Sequence, residues 1–460
     1  MTRALRIFSA AFLLAASGAA AAQAAPVTLN PIADAYVLDG SWAGSNFGTG
    51  TLLHTQTASN SNYDSYLKFD TSSIASIASA RLRVSASLTG SSAIGMAVYP
   101  VSDTAWSETA ITWNNKPARG ASLGSAAVSG STYVYYEVDV SNYVLAEKAA
   151  GRAIVSLALH NTQTSSQRIY IRSRENTNGP PQLVIVPNAA PTVSLTAPAN
   201  NALFVAPASV TLSASAADAD GTVAKVEFFD GAVLVASVTV APFSTTLANL
   251  APGTHTLSAR ATDNLGLGAT SAAVTIRVDT SPTVNLIAPA HNSVFTAPAS
   301  ITLTANAADA DGSVAKVEFF DGAILVGTAT AAPYSVTLAN VALGAHSYTA
   351  RATDDLGIVT TSVAVSVTVN AAPTVSITAP VNNALFTAPA SISVTASAAD
   401  SDGTVTKVEF FNGAAKLGED TTAPYSFTWS GVAAGTYTVT ARASDNLGDT
   451  ARRVSPLPSS

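Results

Sequence analysis

The chain has no cysteine, so no disulfide holds any part of it together and each domain must bury a core of its own. Charge is scarce as well. Only 11% of the residues are charged, while Ala, Val, Thr and Ser dominate, the composition of β-rich modules rather than of a helical bundle or a disordered tail. Lys and Arg nowhere gather into the basic patch that a phosphate backbone requires, which excludes nucleic acid as a partner. Histidine occurs five times, with no nucleophile elbow and no metal-binding His motif, so catalysis has no visible machinery. Beyond the first twenty-five or so positions no apolar run approaches the ~20 residues of a spanning helix.

Those first positions read as an address. Arg3 and Arg6 precede "IFSAAFLLAASGAAAA", and "AQA" at Ala22 to Ala24 offers small residues for cleavage, the three parts of a secretory signal. Residues 1–25 are therefore expected to direct export, with cleavage near Ala24 or Ala25, and the mature chain to be secreted or held at the cell surface. The remaining charge is uneven. Residues 26–187 hold ten Lys/Arg and ten Asp/Glu, whereas 188–460 hold ten against nineteen, a net of −9.

One phrase is written three times. "ADADGTVAKVEFFDGA" begins at Ala217, "ADADGSVAKVEFFDGA" at Ala308 and "ADSDGTVTKVEFFNGA" at Ala399, 91 residues apart. Around it the pattern alternates. In the middle copy Ile301, Leu303 and Ala305 fall on one side of a strand, Thr302 and Thr304 on the other, and Val317 and Phe319 point inward. Asp-Gly at Asp230 and Asp321, and Asn-Gly at Asn412, mark hairpins. About seven short strands in ~90 residues predict an immunoglobulin-like sandwich. Residues 188–280, 281–371 and 372–460 are thus three tandem copies. In the last, Pro456 and Pro458 stand where the middle copy has Val365 and Val367, so the final strand is expected to be incomplete. The stretch "APTVSITAPVNNALFTAPASISVTASAADSDGTVTKVEFFNG" and its counterparts resemble the bacterial Ig-like domains of secreted glycoside hydrolases and adhesins. That resemblance implies a spacer.

Each copy carries acidic turns: Asp218, Asp220 and Asp263; Asp309, Asp311 and Asp354; Asp400, Asp402 and Asp445. Asp and Gly build good turns, and that reading comes first. The second reading is a structural calcium ion at the end of each sandwich. No other cofactor is required. His255, His346 and, in the third copy, Tyr437 share one position, which reads as packing rather than catalysis.

Residues 26–187 differ from the copies. Short strands end in Gly-, Pro- or Asn-rich turns, and helical patterning shows only weakly around "NYVLAEKAAG", so a larger jelly-roll-like β-sandwich is expected. The fold class is all-β, this sandwich followed by the three Ig-like ones. "ADAYV", "NFG", "SYLKFD", "WSETAITWNNKP" and the closing "SRE…PPQLVI" resemble, in order, the DNRLRE domain that overlaps carbohydrate-binding module family 96. The resemblance implies polysaccharide binding, in some members of acidic sugars such as alginate. Trp106, Thr112, Trp113 and Asn114 lie in the signature block and read as architecture. Trp42, Phe47 and Tyr63 in loops are candidates to stack on sugar rings. Lys68, Arg81, Arg83, Arg168, Arg172 and Arg174, the last three on one face by parity, are candidates to meet uronate carboxylates. Pairing with Asp70, Glu175 and other acids is the competing reading. Asp34, Asp39 and Asp70 are a further candidate calcium set.

The expectation is a secreted, monomeric, non-catalytic protein whose front module holds a polysaccharide or cell-surface glycan on an Ig-like stalk. An adhesin or structural protein with a protein partner is the alternative, and a non-catalytic piece of a polysaccharide-degrading enzyme the third reading.

Overall fold

The structure, a computed structural model, describes residues 23–59 and 61–456; most of the expected leader, and Pro458, lie outside them. Among the described residues no helix is long and apolar enough to cross a membrane. The front module and most of the first Ig-like copy form one compact unit, and the second and third copies another.

In the front module the strands are β1 (Val27–Leu29), β2 (Ala33–Leu38), β3 (Leu52–Thr55), β4 (Tyr63–Asp70), β5 (Ile77–Leu88), β6 (Ile94–Pro100), β7 (Gly124–Val128), β8 (Val134–Asp139), β9 (Ile154–Asn161), β10 (Ile169–Arg172) and β11 (Gln182–Pro187). The helical pattern is one short helix, α1 (Ser141–Ala149). One sheet runs β2-β4-β9-β6-β7, and the other joins β1, β11, β5, β10, β3 and β8. Strand β5 organises the second sheet. Along one edge it pairs first with β11 and then with β10, and along its other edge with β8. Its alternation explains why it forms: Ala80, Leu82, Val84, Ala86 and Leu88 are buried, while Arg81 and Arg83 fall on the opposite face. Between the sheets lie Leu53, Leu67, Phe69, Met96, Val98, Leu157, Ile169 and Ile185, each buried large side chain contributing ~1.5–3 kcal/mol.

The first sheet is buried on both sides. Its outer face is covered by residues 101–123, where Trp106 and Ile111 pack on Ala35, Val37, Tyr66 and Ala158, with Trp113 alongside. Trp106 Nε1 donates to Ser156 Oγ at 2.8 Å. The signature tryptophans are architecture, as their block suggested.

The second copy shows the repeat. A three-stranded sheet (Thr283–Ala288, Ala299–Ala308, Tyr334–Val341) faces a six-stranded one containing Val314–Asp321, Gly344–Asp354 and Val365–Asn370. Ile301, Leu303, Val317, Phe319, Tyr348 and Val369 fill the space between, which agrees with the period-two reading. The count is nine strands rather than seven, because two three- or four-residue edge strands carry too little pattern to be seen in sequence. Asp321 ends its strand and the hairpin loop is Gly322-Ala323, with Gly322 at φ 56°, a backbone that glycine adopts without strain. His255 and His346 each bond the neighbouring Asp230 and Asp321 at 2.6 Å. His346 also meets the Ala342 carbonyl at 2.9 Å, and Tyr437 Oη donates to the matching Ala433 carbonyl at 3.1 Å.

The first copy keeps the same buried positions, among them Val210, Leu212, Val226, Phe228 and Ala259. In the third copy the strand expected to be incomplete, the counterpart of Val365–Asn370, begins at Pro456, and its remaining positions lie outside the described residues. The last described strand, Thr450–Pro456, pairs with the strand Thr438–Asp445 in one unbroken register. Residues 384–387, the counterpart of the strand Ser293–Thr296, form no strand, and among the described residues the second sheet has four strands.

Candidate functional site

Alternation fixes what the second sheet of the front module shows on its outer face. Ile169 and Ile171 of β10 and Leu53 and Thr55 of β3 are buried, so Tyr170, Arg172 and His54 turn the other way. Register then places Tyr170 opposite His54 on one side and Ser87 on the other. From His54 a ribbon of rings continues. Its imidazole meets Tyr170 at 5.0 Å, Tyr36 at 4.6 Å and Tyr63 at 5.9 Å. Tyr36 stacks on Phe47 at 4.6 Å, and Trp42 follows at 6.4 Å. Trp42 is 58% exposed. The Arg168 guanidinium lies 3.9 Å over the Tyr63 ring and donates to Tyr63 Oη and Gln56 Oε1. Burial, with Arg168 adding to it, pushes His54 down to about 4, so the ribbon's positive charge comes from arginine.

The same face continues across β5 and β8. Arg81 and Arg83 lie 3.6 Å and 3.4 Å from Glu137. The Arg83 guanidinium sits 4.3 Å over Tyr135, and that of Arg172 4.7 Å over Tyr133. Arg172 also donates to the Asn178 carbonyl. Gly179, at φ +92°, lets the loop close in here, since a Cβ would stand 3.2 Å from both Arg172 Nη1 and Tyr135 Oη. Of the residues singled out in the sequence, the structure thus brings Trp42, Phe47, Arg81, Arg83, Arg168 and Arg172 to this face or its rim, whereas Tyr63, expected in an exposed loop, opens strand β4 and is buried beneath Arg168. Sequence reasoning missed Tyr36, His54, Tyr133, Tyr135 and Tyr170. The aromatic density of the β8 segment, with Tyr133, Tyr135 and Tyr136, was the available signal; the meeting of the other rings depends on register.

Two candidates stand elsewhere. Lys68 is under the 101–123 segment, its Nζ donating to the Trp106 carbonyl at 2.5 Å and lying 4.5 Å over the Trp106 ring. Arg174 lies past the end of β10, so strand parity no longer applies to it. It turns to Glu108 at 2.9 Å and Glu175 at 2.8 Å, the competing pairing weighed for it. Asp34 is fully buried beside them, and burial pushes its carboxyl up to about 8. Asp34, Asp39 and Asp70 do not converge: Asp39 accepts from Asn62 and Asp70 from the Ser72 N–H. A further cluster lay unread in the sequence. Asp64, fully buried, meets Lys116 at 2.5 Å, Arg119 at 3.2 Å and His160 Nδ1 at 2.6 Å. Burial alone would raise its carboxyl; hydrogen bonds from His160 and Lys116 and the charge of Arg119 outweigh that and hold it below the ordinary range.

In the Ig-like copies the buried acid of each final turn holds its own loop. Asp263, Asp354 and Asp445 each accept two backbone N–H groups through Oδ1. Asp263 and Asp445 also accept the side-chain amides of Asn188 and Asn370, both at 2.8 Å. Asp220, Asp311 and Asp402 take the backbone N–H of Ala189, Thr280 and Ala371. The Asp218 and Asp400 carboxyls are raised, by burial first.

Residues 25–187 match the family model of carbohydrate-binding module family 96, and residues 191–259, 282–352 and 373–441 that of a bacterial Ig domain. A gellan lyase from Bacillus sp is 29% identical over 181 residues, 37% of this chain and 7% of the lyase. Exoglucanase B from Cellulomonas fimi is 33% identical over 253 residues, 52% of this chain and 23% of the exoglucanase. The chain therefore spans less than a quarter of the length of either relative. Among solved structures, the fibronectin(III)-like modules of Clostridium thermocellum CbhA are similar over 39% of this chain and 95% of that one, at 29% identity and a TM-score of 0.27.

Proposed function

A chain that carries a carbohydrate-binding module of family 96 followed by three bacterial Ig domains serves, we propose, to hold an acidic polysaccharide on the outer face of its front module, with the Ig-like copies as an extracellular spacer. Its domains are of binding and Ig-like type rather than catalytic. The observation that carries the finer reading is the outer face shared by Tyr170, Arg172, Tyr135 and Arg83, linked to the exposed Trp42 through the rings of His54, Tyr36 and Phe47. Aromatic faces stack on sugar rings, and guanidinium groups fit carboxylates with two parallel hydrogen bonds. Arg168 and Arg172 bond neutral groups here, so their charge is left for a ligand. Arg81 and Arg83 share Glu137 and contribute less. Both relatives named above are polysaccharide-acting by name, which supports a glycan over a protein partner.

The test is affinity electrophoresis of the full chain in gels containing alginate, gellan or a neutral glucan. Retention is expected in the acidic gels, with Trp42→Ala and Arg172→Ala each weakening it by about tenfold, ~1.4 kcal/mol. Equal mobility in every gel, or retention unchanged in the double variant, overturns the reading and leaves a protein partner as the better one.

A further inference from the structure

Three carboxylates from distant parts of the front module meet where β10 ends. Asp34 comes from β2, Glu108 from the 101–123 segment and Glu175 from the turn after β10, and one oxygen of each lies within 4.8 Å of the others. Their placement is fixed from outside the group. Asn46 Nδ2 donates to the carbonyls of Glu108 and Ile111, both at 2.8 Å. Gly48 lets the backbone pass so closely that a Cβ there would stand 2.0 Å from the Glu108 carbonyl oxygen. The Arg174 N–H donates to Asp34 Oδ2 at 2.7 Å, and the Asp34 N–H to Glu108 Oε1 at 3.3 Å.

What the group lacks is cation. Arg174 Nε serves Glu108 Oε1 and Glu175 Oε1, one positive charge against three carboxylates. Two oxygens are left over: Asp34 Oδ1, on a side chain with no exposed surface, and Glu175 Oε2 are both buried without a hydrogen-bond partner. Orphaned buried carboxylate oxygens are costly, and burial of unmatched charge more so. A divalent ion would supply the missing positive charge and give the orphaned oxygens a partner.

We infer that Asp34, Glu108 and Glu175 hold a calcium ion that ties β2, the 101–123 segment and the end of β10 together. Every donor is a hard oxygen, which suits calcium rather than a soft-ligand metal. Oxygens bound at ~2.4 Å on opposite sides of an ion stand ~4.8 Å apart, so oxygens no farther apart than that can share one ion. Water completes a shell of about six to eight ligands. The role is structural: the ion fixes the segment that covers the first sheet. This inference stands independently of the glycan reading, and its test contains no polysaccharide.

The test is hydrogen exchange by mass spectrometry on the full chain, stripped with a chelator and then titrated with calcium chloride to about 5 mM, above the ~0.1–1 mM dissociation constants of extracellular calcium modules. Exchange is expected to slow at least about threefold in peptides covering residues 33–38, 106–111 and 172–177. The Glu108→Gln/Glu175→Gln variant is expected to lose that slowing and to bind one equivalent fewer. Asp34→Asn, which keeps an acceptor for the Arg174 N–H, is the second variant if the first does not fold. Because the peptides are local, calcium taken up by the Ig-like turns does not register. No slowing at about 5 mM in the wild-type chain, or the same slowing in a folded variant, overturns the inference.

Discussion

Asp64 is a single carboxylate on which Lys116, Arg119 and the imidazole of His160 converge. With Lys116, Arg119 and His160 within 2.5 to 3.2 Å and no surface of its own exposed, it joins β4 to β9 and to the segment covering the first sheet. Removing one partner of a buried ion network strands the others. Asp64→Ala is expected to destabilise the front module by about 3 kcal/mol, read as a lower calorimetric midpoint for that module. The pH dependence has a definite sign. The folded carboxyl sits below its ordinary value, so the stability it supplies is complete above the unfolded value of about 3.9 and is lost as pH falls through the lower folded value. Below about pH 4 the wild-type midpoint should therefore fall more steeply than that of Asp64→Asn. Nothing near Asp64 in sequence announces this, because its partners lie 52, 55 and 96 positions away.

At the scale of elements, the copies differ where their strands end. In the second copy Ser293–Thr296 runs parallel to Val367–Asn370 and is held by it. In the third, residues 384–387 form no strand, and Leu385 is 73% exposed. Unpaired amides exchange through small local openings, whereas ladder amides wait for larger ones. Amides of 385–387 are expected to exchange at least about tenfold faster than those of 294–296 under the same conditions. Equal rates would mean that the segment finds partners in solution. Thr450–Pro456 takes the edge that Val359–Thr361 holds in the second copy, and it continues without the break that there precedes Val365–Asn370.

Across the whole molecule, charge is unevenly divided. The Ig-like stretch carries the net −9 of residues 188–460, while residues 26–187 are balanced overall and gather Arg168, Arg172, Arg81 and Arg83 toward one face. Attraction between that face and a polyanion is screened by salt, with a Debye length of about 10 Å at 0.1 M and about 3 Å at 1 M. Retention of the full chain in an alginate gel is expected to drop severalfold between about 0.05 M and 0.5 M sodium chloride. Insensitivity to salt would place the contact on the aromatic ribbon alone.

The sequence by itself determined the modular plan. A repeat of 91 residues and strict alternation dictate three like sandwiches, since any other pairing would turn Ile301, Leu303, Val317 and Phe319 toward water. Alternation likewise placed Arg81 and Arg83 outside, because Leu82 and Val84 had to go in. Tertiary structure decided which outward residues became neighbours. Tyr36, His54 and Tyr170 form one ribbon, and Asp34, Glu108 and Glu175 one acidic group, only after strands far apart in the chain are set side by side in a particular register. Periodicity specifies a face; the pairing of strands specifies a place on it, and that is settled by packing between sheets rather than by any local pattern.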